Sequence, residues 1–215
     1  PYRIAATGQS DLIEQWWRQS GVDVGVFGVG MGPPHVTSAM SGYRELYDVI
    51  WSLEWTRKVT TAADIRQAKA EGDIAFYGYC QPVYGLSANL DDVDAAYEQG
   101  LRVLMLTYNR QDYVGAGCTE PNNAGLSRYG EQVVERCNDL GIIVDTSHCG
   151  KQTTLDACRL STTPVFANHA CAQGVYGHAR GKSDEEIDAI AATGGVVGVV
   201  TVPFFLSPDA KHSVE

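Results

Sequence analysis

Gly141 to His169, read GIIVDTSHCGKQTTLDACRLSTTPVFANH, constrains this chain more than any other stretch. It holds two apolar runs, Ile142-Ile143-Val144 and Pro164-Val165-Phe166-Ala167, each too short for a helix, rich in β-branched residues, and each leading to a histidine. Both are expected to be buried parallel strands. Between them Lys151 to Leu160 has the composition of a crossover helix, with Leu155, Ala157 and Cys158 for one face. The unit is therefore βαβ, and it puts His148 and His169 at the carboxyl ends of two successive strands.

In parallel α/β folds ligands and chemistry gather at that end of the strands, while the other end mainly supports stability. Two imidazoles side by side there suit a divalent metal. Either histidine alone is better explained by a hydrogen bond to nearby backbone; the matched pair points to metal ligation.

The rest of the chain repeats the alternation. Strands are expected at Ile4–Ala6, Val22–Val29, Ile74–Cys80, Val103–Leu106 and Val196–Val200 in addition to the two above. Helices are expected over Leu12–Gln19, Ala62–Ala70 behind a threonine cap, Leu90–Gln99, Tyr129–Leu140 up to Gly141, and from Ser183-Asp184-Glu185-Glu186, which opens like a capping box. Ser41 to Lys58 also has helical composition, and Arg110 to Leu126 is a long aperiodic loop of the kind that tends to carry function. Seven strands with helices between them describe a (β/α)8 TIM-type barrel, metal-dependent hydrolase-like, lacking its eighth strand. The expectation is one catalytic-type domain over residues 1–215, either a fragment of a longer chain or closed by another element. A doubly wound open sheet is the alternative, lowered because no glycine-rich phosphate fingerprint follows a strand.

With 16 basic and 26 acidic residues the net charge is −10, which argues against nucleic acid or an anionic membrane as partner. No apolar run approaches the ~18 residues of a membrane span. The six cysteines show no CxxC spacing, so buried reduced thiols and a cytoplasmic setting are expected. Cys149 and Cys171 lie within two residues of the histidines; they read as small packing residues, with soft ligation or nucleophilic chemistry as the other options.

At Val144-Asp145-Thr146-Ser147-His148 and Ala167-Asn168-His169-Ala170 the sequence resembles the renal (membrane) dipeptidase family of zinc metallopeptidases. The likeness extends to Thr60–Ile65, Leu106-Thr107-Tyr108-Asn109, Gly117–Asn122 and Arg180–Gly198. It implies a (β/α)8 barrel with two zinc ions sharing a carboxylate and a hydroxide, hydrolysis of dipeptides, and an often dimeric assembly. It also implies a catalytic aspartate on an eighth strand, which nothing in this sequence supplies. Carried over residue by residue, His148 and His169 match the histidines of one zinc site, and Arg180 matches the arginine that holds the substrate's terminal carboxylate. Three positions depart. Gln9 stands where a His-x-Asp motif has its histidine, leaving Asp11; Gln81 stands at the shared glutamate; Tyr108 replaces a histidine that polarises the scissile carbonyl.

The departures matter chemically. Two dications close together repel, and the bridging carboxylate makes the pair tolerable. A neutral glutamine is a poor substitute. The expectation is therefore one tightly held zinc at His148 and His169, with Gln81, Asp11 or water completing the shell and a second ion left open. In that scheme Asp11 orients or deprotonates water, Tyr108 donates to the oxyanion and contacts substrate, and Arg180 anchors a dipeptide or related small amide. The alternative is a non-catalytic relative that binds a small carboxylate ligand or serves as a subunit.

Overall fold

The computed structural model describes residues 10–30, 50, 52–81 and 89–207. Gln9, the expected strand at Ile4–Ala6 and most of the expected helix from Ser41 lie outside the described residues. The elements are α1 (Ser10–Ser20), β1 (Val24–Gly30), β2 (Thr56–Lys58), α2 (Ala62–Glu71), β3 (Ile74–Gln81), α3 (Asp91–Glu98) and β4 (Leu101–Met105). They are followed by α4 (Arg128–Leu140), β5 (Ile143–Asp145), α5 (Lys151–Leu160), β6 (Phe166–Ala172), β7 (Gly181–Lys182), α6 (Asp184–Ala192), β8 (Val196–Val199) and a 3-10 turn, Pro203–Phe205.

These strands pair in parallel, in the order β1-β3-β4-β5-β6-β7, with β2 on β3 and β8 on β6. This curled parallel sheet with crossover helices is a partial TIM-type barrel. Two short strands were not expected. β2 falls where only helix and a break were read, and β7 falls in a loop, because two or three residues carry no periodicity and are set by the neighbour they pair with.

Helix boundaries follow local chemistry. Thr61 caps α2 in a capping box with Asp64, and Ser183 caps α6 with Glu186. Gly141 ends α4 at φ 76°, a left-handed conformation that glycine adopts without a Cβ penalty. The main core lies between sheet and helices. On β3 and β4 the outward set is Phe76, Cys80, Leu101 and Leu104, packed with Val133, Val134 and Ala157. The inward set is Tyr77, Tyr79, Val103 and Met105. This period of two places Gln81 on the face of Tyr77 and Tyr79, inside the curl.

Candidate functional site

Gln81 is the last residue of β3, and His148 lies in the turn just after β5. His169 lies within β6, not beyond its end as the sequence suggested. The strand starts two residues later than its apolar run and continues through the histidine. Ala167 and Ala170 both pack with Ile190, although residues three apart on a regular strand face opposite ways. The register against β8 shifts between these two alanines, so the extra residue is absorbed there. Asn168 then bonds Tyr77 while His169 also turns inward. Gly198 on β8 permits this, because a Cβ there would overlap the Asn168 carbonyl.

The three side chains converge. His148 Nε2 is 2.9 Å from His169 Nε2, and Gln81 Nε2 is 3.2 Å from each. Burial, then the Arg180 guanidinium, His169 and Lys182, push the His148 pKa down to about 2. Burial also lowers His169, against an opposing pull from Asp145. Both rings are thus neutral near pH 7 and can offer lone pairs.

Beneath them is a network of short bonds. Asp145 is fully buried; its Oδ2 accepts from Tyr79 Oη at 2.7 Å, and its Oδ1 accepts from Ser147 N, Ser147 Oγ and Asn168 N. Ser147 Oγ in turn accepts from His169 N at 3.0 Å. One carboxylate therefore ties β3, β5 and β6 together under both histidines. Arg180 is 3% exposed, and its terminal nitrogens donate to Ser147 O and His169 O, while its Nε is buried without a partner. The guanidinium is therefore engaged with the two histidine-bearing segments, a use the sequence did not suggest.

Tyr108 stacks on His148, centroids 4.2 Å apart and planes 19° from parallel. Asn109 Oδ1 lies 2.7 Å from His148 Nδ1. Sequence reading passed over Asn109 as a site residue; its place in the segment Leu106 to Asn109 was the available signal. Asp11 is not brought to the pair. It is exposed on α1 and lines an open cleft of about 510 Å³ with Glu14, Arg18, Trp55, Glu71 and Asp73. The helix is set by Trp17 against Phe76 and by Arg18 donating to Gly72 O at the amino end of β3, the end opposite Gln81.

The cysteines are free, and burial pushes the thiols of Cys118 and Cys171 up and that of Cys149 to about 12. They are protonated at neutral pH, so thiolate attack is not favoured.

Does this donor set fit a cation? Two nitrogens 2.9 Å apart can both lie the ~2.0–2.1 Å of a zinc–nitrogen bond from one ion. Turning the Gln81 amide over puts Oε1 in the same place as a third donor. No group of three or more His, Cys, Asp or Glu able to hold a metal occurs among the described residues. The donors that the described residues bring together are two imidazoles and one amide, with no carboxylate to bridge a pair of ions.

An uncharacterized dipeptidase of Schizosaccharomyces pombe is 34% identical over 119 residues, 54% of this chain and 29% of that protein. An amidohydrolase from Pseudomonas aeruginosa superposes with a TM-score of 0.82 at 30% identity, over 88% of this chain and 58% of that one. A metallopeptidase from Rhodobacter sphaeroides, solved with a phosphinate mimic of the dipeptide L-Ala-D-Ala, superposes with a TM-score of 0.80 over 92% of this chain and 66% of that one; at 23% identity it speaks to the fold. The chain spans well under two thirds of the length of the first two. The family model for membrane dipeptidase, peptidase family M19, matches residues 16–215, and the chain belongs to that family.

Proposed function

We propose that this site holds one divalent cation, zinc by preference, and hydrolyses a dipeptide or a related small amide. The observation that carries the reading is the convergence of His148 Nε2, His169 Nε2 and the Gln81 amide within 3.2 Å, with both rings held neutral. In the bound state the cation supplies an activated water near neutral pH and Lewis-acid polarisation of the scissile carbonyl.

The chain's own residues do the rest. His148, His169 and Gln81 Oε1 hold the ion. Tyr108, stacked on His148 beside the pair, is assigned as donor to the developing oxyanion. Arg180, whose terminal nitrogens hold the Ser147 and His169 carbonyls, places its positive charge beside the pair and attracts the substrate's terminal carboxylate through that charge. Asp145 accepts four hydrogen bonds and is committed to holding the strands, so it does not serve as the base.

The test is hydrolysis of a panel of L,L and L,D dipeptides by zinc-loaded and chelated protein. Activity that chelation abolishes supports the reading, and activity indifferent to chelation refutes it.

One observation favours a second reading, a non-catalytic relative that binds a small carboxylate. Where a two-ion centre needs a bridging anion, the amide of Gln81 contacts both imidazoles directly. Gln81→Glu separates the two. Dipeptidase activity that appears only in the variant identifies the natural protein as a binder.

A further inference from the structure

We infer that Asn109 is a positioning residue that fixes His148 in the tautomer with the proton on Nδ1 and a bare Nε2 facing Gln81 and His169. The consequence for cation binding rests on the reading under Proposed function; the tautomer itself does not.

The inference begins with the backbone. Asn109 has φ 53°, the one non-glycine residue in the left-handed region among those described. Asparagine tolerates that region better than most residues, and glycine would occupy it without strain. A side chain kept where glycine would be easier on the backbone has a use. The conformation is held from outside: Thr119 N and Thr119 Oγ1 both donate to Asn109 O at 2.7 Å. Gly117 lies against the same carbonyl, with no room for a Cβ. The loop from Arg110 to Leu126 thus closes back on Asn109 and aims its amide.

The amide meets His148 Nδ1 at 2.7 Å through Oδ1, and the Cys118 thiol donates to the same oxygen at 3.4 Å. The thiol donates to this atom, which suits a carbonyl oxygen and not an NH2 group. An acceptor at Nδ1 requires a proton there. A neutral ring carries only one, so Nε2 is left with its lone pair. With Tyr108 stacked on the ring, rotation is opposed as well. This is the arrangement by which outer-shell acceptors orient a metal-binding imidazole and raise its basicity.

The test uses the whole chain. Long-range nitrogen–proton NMR on the metal-free protein near neutral pH reads the His148 tautomer directly. The expected result is a protonated Nδ1 and an unprotonated Nε2; a protonated Nε2 overturns the inference with no variant needed. Asn109→Gly keeps the left-handed backbone and removes the acceptor, so it is expected to mix the tautomers and weaken zinc, titrated against a fluorescent chelator, by ~10–100-fold. Asn109→Asp keeps an acceptor and is expected to restore both. Asn109→Gly with native tautomer and native affinity overturns the inference. A native protein with the Nδ1 proton that takes up no zinc supports the positioning role and overturns the cation reading.

Discussion

His148 and His169 reach the same point by unlike routes. His148 stands in a turn beyond β5, and its ring is gripped by side chains, Asn109 at one nitrogen and Tyr108 on one face. His169 is carried inside β6, where a register shift turns it inward, and its backbone is held at both ends, N–H to Ser147 and carbonyl to Arg180. The contrast teaches where function and stability separate. Changes around His148 should alter ring orientation and chemistry with small effects on folding, whereas changes around His169 should cost both.

The largest expected effect removes the group that both halves share. Asp145→Ala strands the Tyr79 hydroxyl, two backbone N–H groups and the Ser147 hydroxyl, and should cost about 3–5 kcal/mol of stability in urea unfolding. A loss under about 1 kcal/mol would mean that the two strand ends are held independently.

Next comes the side-chain-held half. Tyr108→Phe keeps the stack and deletes the donor, so kcat for a dipeptide should fall by ~10²–10³. An unchanged kcat would remove Tyr108 from the chemistry.

The backbone-held half should behave differently. Gly198→Ala places a methyl group on the Asn168 carbonyl at the register shift, and is expected to cost about 1–3 kcal/mol and to weaken zinc binding in parallel. Lost stability with native zinc affinity would show that the shift does not aim His169.

The smallest effect concerns the loop that carries the His148 support. Asp112 accepts from Val114 N and Gly115 N through Oδ1, but its Oδ2 is buried without a partner, and burial raises its pKa from 3.8 to about 6. A carboxyl whose folded pKa is raised binds its proton more tightly in the folded state, so it destabilises the fold above about pH 6, and the deficit fades as pH falls toward 3.8. Asp112→Asn should therefore be more stable than the native protein by about 1–2 kcal/mol at neutral pH, with the advantage gone near pH 4. An advantage that persists at pH 4 would point to a cause other than the charge.

Much of this was legible in the sequence because it is local or periodic. The capping boxes at Thr61 and Ser183 and the stop at Gly141 depend on a few adjacent residues. The histidine pair followed from strand, crossover and strand, a topology with one dominant handedness, and Gln81 was named through the family likeness, as the residue at the position of the shared glutamate. What stayed hidden is set by distant partners. Asp11 is carried away by a helix whose seat depends on Phe76 and Gly72. The conformation of Asn109 is imposed by Gly117 and Thr119, eight and ten residues on. Arg180 donates to backbone carbonyls that no side-chain pattern reports.

The central claim is one cation held by this pair of imidazoles. Zinc titration of the purified, metal-free protein tests it directly, with His148→Ala and His169→Ala alongside. The account predicts one equivalent bound at submicromolar affinity, lost in either variant. Two equivalents bound equally tightly, or one equivalent that survives both substitutions, would contradict it.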